Sequence, residues 1–211
     1  MQHKTTRPIA EHKREQILET ALEVFVSRGY VGTSTDQLAA AAAVSKQTLY
    51  RAFGDKEGIF TALIRSVCEG VNDPFAPLVQ QMRGCADAES AVGLLAERFV
   101  ELILSPTTQQ VRRLVIAEAA RFPDLGRLYW ESGFEPMLAS IGRCLSELDA
   151  CGLLRVPSPE LAAQHFAGLL LWIPGNRAMF LSDAQPLDAG RVRVIVEGGA
   201  EAFLRAYSVR A

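Results

Sequence analysis

An all-α chain is what the sequence predicts: a small N-terminal unit of three helices that contains a helix-turn-helix, joined to a larger C-terminal helical bundle. Three observations lead there. Apolar residues recur at spacings of three and four in one segment after another, and the alternation of a half-buried strand is absent. Glycine and proline fall between these periodic segments, at Ser105-Pro106, Phe122-Pro123, Gly133, Gly152, Ser158-Pro159 and Gln185-Pro186, so they punctuate helices. Near the N-terminus, two short helical segments, each preceded by a serine suited to capping, are joined by only Ala43-Val44-Ser45.

In chain order, residues 1–10 are polar and are expected to form a flexible arm, with Pro8 near its end. A first helix is expected over Glu11 to Arg28, with Ile17, Leu18, Ala21, Leu22 and Phe25 on one face and Gly29 as its C-cap. Ser34-x-x-Gln37 is a capping box that opens a short helix through Ala42. Ser45 caps a second short helix, Lys46 to Ala52, and Asp55 caps a longer one reaching about Glu69. The small unit, its three helices followed by this last one as the link to the body, is therefore placed at 11–71. Asn72 to Pro77 reads as a break, and the body, 76–211, is expected to hold helices near 87–104, 107–121, 124–132, 134–151, 159–181 and 188–207. Pro159 suits a first helical position after Ser158, whereas Pro174-Gly175 should kink or split its helix.

Composition limits the function classes. With 49% hydrophobic and 22% charged residues, the 211-residue chain is an ordinary globular protein with enough length for a core. Charge is uneven: residues 1–67 carry nine Lys and Arg against seven Asp and Glu, and residues 68–211 carry thirteen against seventeen. A mildly basic head on an acidic body suits a nucleic-acid binder. Cys68, Cys85, Cys144 and Cys151 form no C-x-x-C pair, and Met1 to Arg14 is too polar for a secretory signal, which together predict a cytoplasmic protein. The longest apolar run, Phe166 to Ile173, is too short to span a bilayer, so no membrane partner is expected.

The second short helix carries the chemistry. Projected at about 100° per residue with Leu49 toward the core, it places Ser45, Ala52 and Phe53 on the same side. Gln47 and Arg51 then point directly away, one turn apart, with Thr48 and Tyr50 on either flank. A recognition helix needs this layout: Gln bonds bidentately to adenine and Arg to guanine, while hydroxyls on the flanks reach phosphate oxygens. Ser45 and Lys46 in the first turn belong to the same DNA-contact set. Lys56 enters the next helix at its N-terminus, and Thr33, Ser34 and Thr35 open the preceding one, so both ends are also expected at phosphates. A merely solvated polar face accounts for any one of these residues but poorly for the whole set.

A pattern runs through Ile17-Leu18, Ala21, Phe25, Gly29-Tyr30, Thr33-Ser34, Asp36-Gln37-Leu38-Ala39, Val44-Ser45-Lys46, Thr48-Leu49-Tyr50, Phe53 and Lys56-Glu57. It resembles the TetR/AcrR family of transcriptional regulators over residues 11–65. Two positions depart: Ala43 stands where the family usually has Gly, and Ala52 where it often has His. Ala43 means either a turn with no positive φ or a little strain. The string Leu114 to Pro123 is similar to the regulatory domain of one TetR subgroup. The resemblance implies an all-α ligand-binding domain, a homodimer through the last two long helices, and repression relieved by a small molecule.

The body offers less. Phe166 to Ile173 is apolar around its whole circumference, and the last helix carries Val192, Ile195, Val196, Gly199, Ala202, Phe203 and Ala206 on one stripe, with Gly198-Gly199 permitting close approach. These surfaces meet either within the chain or in a two-fold dimer, and a dimer would read a pseudo-palindromic operator in double-stranded DNA. Glu118 shares a face with Val111, Leu114, Val115 and Phe122, so it is either paired, with Arg121 or Arg177 at hand, or lines a cavity. Phe99, Trp130, Phe134, Phe166 and Trp172 either fill the core or line such a cavity with Glu118 and Phe122. The effector of that cavity is expected to be apolar or aromatic.

Rival classes fare worse. His3, His12 and His165 are too scattered for a metal site, and no nucleophile elbow, P-loop or dinucleotide loop is present, so no catalytic residue, metal or cofactor is expected. A thiol-based redox-sensing DNA-binding regulator is the alternative reading. Cys144 and Cys151 lie two turns apart on one helix, about 10 Å, too far to bridge without unfolding, which leaves Cys85 or a second subunit as partner.

Overall fold

The computed structural model describes residues 11–69, 75–181 and 187–209; the expected arm, the centre of the break at 72–77, and Gln185-Pro186 lie outside the described residues. The helices are α1 (Glu11–Gly32), α2 (Thr35–Ala41), α3 (Lys46–Phe53), α4 (Lys56–Glu69), α5 (Ala76–Met82), α6 (Ala88–Leu104), α7 (Pro106–Ala119), α8 (Pro123–Tyr129), a π-helical turn (Trp130–Phe134), α9 (Glu135–Ala150), α10 (Pro159–Phe180) and α11 (Ala189–Tyr207). Among the described residues, the β-type pairing is an isolated antiparallel bridge between Leu154 and Ser208. No described helix is long and apolar enough to cross a membrane.

The chain forms two compact units, one of Met1–Gly70 with Arg113–Tyr129 and one of Val71–Arg112 with Trp130–Ala211. In the first, α1 buries the expected Ile17, Leu18, Ala21, Leu22 and Phe25. Its regular turns end at Gly29, whose φ of 71° breaks the helix and turns Tyr30 inward. Tyr30 then meets Phe60 of α4 at 4.9 Å between ring centroids and Phe122 at 5.0 Å, while Phe25 meets Phe60 at 5.0 Å. The expected boundaries assign everything after 76 to the body, yet 113–129 pack with this unit. The Phe122 ring and the contact of α8 with α4 hold them there.

The second unit has its own core. α6 packs on α11, and α10 packs on both α9 and α11. A file of rings runs from Phe75 to Phe99 (6.4 Å), Phe166 (5.9 Å), Phe203 (5.2 Å) and Tyr207 (4.4 Å).

Three elements differ from the sequence expectation. Helix α5 begins inside the expected break and runs past it, because Phe75, Leu78 and Met82 share a buried face and Pro77 is tolerated in a first turn. At Gly133 the chain does not stop; it widens into the π-helical turn that leads into α9. Pro136 falls in the first turn of α9, where its missing N–H costs little. Pro174-Gly175 does not split α10, which continues to Phe180 with both residues buried.

Candidate nucleic-acid interface

Local capping sets the first helices. The Gln37 N–H donates to Ser34 Oγ at 3.2 Å and the Ser34 N–H to Gln37 Oε1 at 2.8 Å, a complete capping box at the start of α2. Ser45 Oγ accepts from the Thr48 N–H at 3.0 Å and lies 2.7 Å from Thr48 Oγ1, which starts α3. The turn between them bends at Ala43, whose φ is 50°. Of the two readings of the Ala-for-Gly departure, the strained one holds.

Leu49 (1% exposed) and Phe53 (9%) anchor α3, and Gln47, Tyr50 and Arg51 on its other sides are exposed. Thr48 is half-buried. Sequence projection and structure therefore agree on which face of the helix is free.

Several contacts that hold α3 join residues far apart in sequence. Arg14 of α1 donates to the Ala52 carbonyl at 3.1 Å, and its guanidinium lies 4.4 Å from the centre of the Phe53 ring. That clamp satisfies a carbonyl at the C-terminal end of α3 with a cation, where the helix dipole favours one. Lys46 reaches both carboxylate oxygens of Asp36 in α2, at 2.8 and 3.0 Å. Thr35 Oγ1 lies 3.5 Å from the Tyr50 hydroxyl. Gly58 sits so close to the end of α3 that a Cβ there would lie 1.8 Å from the Phe53 carbonyl oxygen. Sequence reasoning missed Arg14, Asp36 and Gly58; only the arginine-to-aromatic and lysine-to-aspartate charge pairing offered a signal.

Two expected phosphate contacts need correction. Thr33 is 2% exposed, and its hydroxyl donates to the Gly29 carbonyl at 2.8 Å, so it closes the end of α1. Lys56 donates to the Tyr30 and Thr33 carbonyls at 2.9 and 3.0 Å and lies 4.4 Å from the Tyr30 ring centre. It ties α4 to the α1–α2 junction, with at most one N–H left for a phosphate. Burial, with the carboxylates of Glu57, Asp55 and Glu118 adding to it, pushes the Tyr30 hydroxyl above the usual phenol range. Ser34, Thr35 and Ser45 are exposed or half-buried, but each already serves a cap or the Tyr50 contact.

The expected ligand set divides between the units. Glu118 and Phe122 lie in the first, and Phe122 packs on Tyr30. In the second, Phe99 (1% exposed) and Phe166 (0%) are core rings. Trp130 stacks on half-buried Phe134 at 4.7 Å and donates to Glu135 at 2.7 Å. Trp172 is 71% exposed, so it lines no interior within this chain. The thiol-sensing alternative gains no support: Cys144 is buried in the core, and Cys151 is exposed at the end of α9.

Comparison with known proteins adds a second line. Residues 17–63 match the tetR family of bacterial regulatory proteins, and residues 92–209 match the C-terminal domain of AefR-like transcriptional repressors. The chain is similar to a crystal structure of a TetR-family transcriptional regulator from Mesorhizobium loti, at 37% identity and a TM-score of 0.86, covering 94% of this chain and 98% of that one. It is also similar to the structure of the flavonoid-responsive regulator FrrA, at 29% identity and a TM-score of 0.75, covering 96% and 100%. The HTH-type regulator YezE of Bacillus subtilis is 25% identical over 116 residues, which are 54% of this chain and 58% of that protein.

Proposed function

The chain belongs to the TetR family of DNA-binding transcriptional regulators, and on that premise we propose that it is a homodimeric repressor released from a pseudo-palindromic operator by a small hydrophobic effector. The observation that carries the reading is α3, a capped and clamped helix presenting Gln47 and Arg51 to solvent with Tyr50 beside them. Gln47 and Arg51 read base edges, while Tyr50, Thr48 and Lys46 hold phosphates and fix the register.

An apolar stripe supports the dimer. Trp172 and Ile173 are each 71% exposed and Phe180 81%, and Leu169 on α10 and Val194 on α11 are exposed as well. An exposed patch of this kind marks a contact with another protein surface. A second copy seated there, through α10 and α11, would pair two recognition helices for two half-sites. The four thiols suit work in the reducing cytoplasm. For the effector, the support is the similarity to a regulator named for its flavonoid response, together with the aromatic content of the body; an apolar or aromatic molecule fits both.

The test is selection of bound fragments from random duplex DNA, then titration of the best fragment at two salt concentrations. A palindromic consensus is expected, with affinity falling at about 0.9 log units per log unit of salt for each neutralised phosphate. Arg51→Ala should alter the selected sequence as well as the affinity. No enrichment over random DNA at low salt, with the protein folded, removes the reading.

A further inference from the structure

We propose that Asp36 is a gate on Lys46: in the DNA-free protein its carboxylate holds the ammonium, and on docking the lysine exchanges that carboxylate for a phosphate. The inference rests on α3 being the DNA-reading helix. It adds a negatively charged residue, on a helix outside α3, that sets how strongly the head grips DNA of any sequence.

The geometry supplies the argument. Lys46 is the first residue of α3, next to Gln47, and its ammonium sits 2.8 and 3.0 Å from the two oxygens of Asp36 in the first turn of α2. The side chains are 48% and 71% exposed, so the pair lies open to solvent and to an incoming anion. Carboxylate and phosphate are both acceptors for the same ammonium. Asp36 belongs to the first turn of α2, which the Ser34–Gln37 capping box holds independently of the lysine. Of the two lysines in α3 and α4, Lys56 already donates to two backbone carbonyls, which leaves Lys46 as the ammonium able to change partner.

Two consequences follow. An exposed ion pair is weak, so the exchange is easy and its effect on affinity is roughly 1.5- to five-fold. The pair also carries no net charge, so docking gains less from counterion release than an unpaired lysine would. Asp36 thereby lowers affinity for all sequences and leaves base reading by Gln47 and Arg51 to decide where the protein rests.

The experiment measures binding of the full chain to a duplex of unrelated sequence over a salt series, for the wild type, Asp36→Asn, Lys46→Gln and the double variant. Melting midpoints establish that each is folded, and Asp36→Ser replaces the Asn variant if α2 is weakened. Asp36→Asn should bind about 1.5- to five-fold more tightly. Its salt slope should be steeper by up to about 0.9. In the Lys46→Gln background the same change should do almost nothing. An equal gain with and without Lys46 would mean that Asp36 acts only as a repelling charge, and no gain in either background would mean that it does not restrain the lysine; both overturn the gate alone. Absence of salt-dependent binding by the wild type, together with an unchanged sequence preference in Arg51→Ala, overturns the DNA reading and the gate with it.

Discussion

Backbone demands at two residues decide how α3 is held. Ala43 carries a φ of 50° in the turn before α3, a conformation that costs an L-residue about 1–2 kcal/mol. Glycine removes that cost but loses more freedom on folding, so Ala43→Gly should raise stability by about 0.5–1 kcal/mol, read as a higher urea midpoint with an unchanged slope. An unchanged or lower midpoint would mean that the turn relaxes around Ala43. Gly58 shows the opposite demand. It lies in the first turn of α4, and a methyl there would lie 1.8 Å from a backbone oxygen of α3, so the backbone must shift to admit it. Gly58→Ala should therefore cost about 2 kcal/mol or more and weaken DNA binding, despite its better helix propensity. Thermal melting and binding at one salt concentration check both parts.

Among the elements, α5 and α9 are joined by a charged fork. Arg83 Nε and Nη2 each donate to a Glu147 oxygen at 2.8 Å. The guanidinium holds the Glu147 carboxyl below the usual carboxylate range. Because the folded-state value lies below the unfolded one, ionised Glu147 favours folding above about pH 4.3, and the contribution disappears as pH falls through the depressed value. Glu147→Gln should flatten the acid side of the stability profile, measured as urea midpoints from about pH 5 downward. The Ser90 backbone N–H holds Asp87 low in the same way, so some acid sensitivity should remain in the variant. Close packing governs the pair α10 and α11. Gly199 marks the close approach, since a Cβ there would meet the Leu170 side chain at 2.5 Å, whereas Gly198 has nothing within 4 Å. Only one of the two glycines expected to permit close approach does so within the chain.

For the molecule as a whole, the apolar stripe on α10 carries the argument for assembly. Trp172 contributes a large ring at 71% exposure, and its replacement by arginine leaves the buried residues of the unit untouched. Trp172→Arg should shift a dimer to monomers in sedimentation velocity while helix content and the melting of the isolated chain hold. It should also reduce operator affinity, since each monomer then grips only one half-site. A variant that sediments as the wild type does would move the interface elsewhere.

What the sequence determined by itself is what short-range physics controls. Caps at Ser34, Ser45 and Asp55, the buried face of α1, and the split of α3 into an anchored and an exposed side are all readable because each depends on residues within a turn or two. Tertiary structure decided the rest. Carbonyls at the end of α1 and just beyond it take the Thr33 hydroxyl and two of the Lys56 donors, the lysine from partners 23 and 26 residues away. Phe99, Phe166 and Trp172 are equivalent aromatics by sequence, yet two meet as tilted rings in the core and one faces outward. Residues 113–129 joined the head through one ring on Tyr30 and one helix on α4. An unpaired donor, ring or charge in a sequence states what it can bind; which partner it meets depends on how distant segments pack.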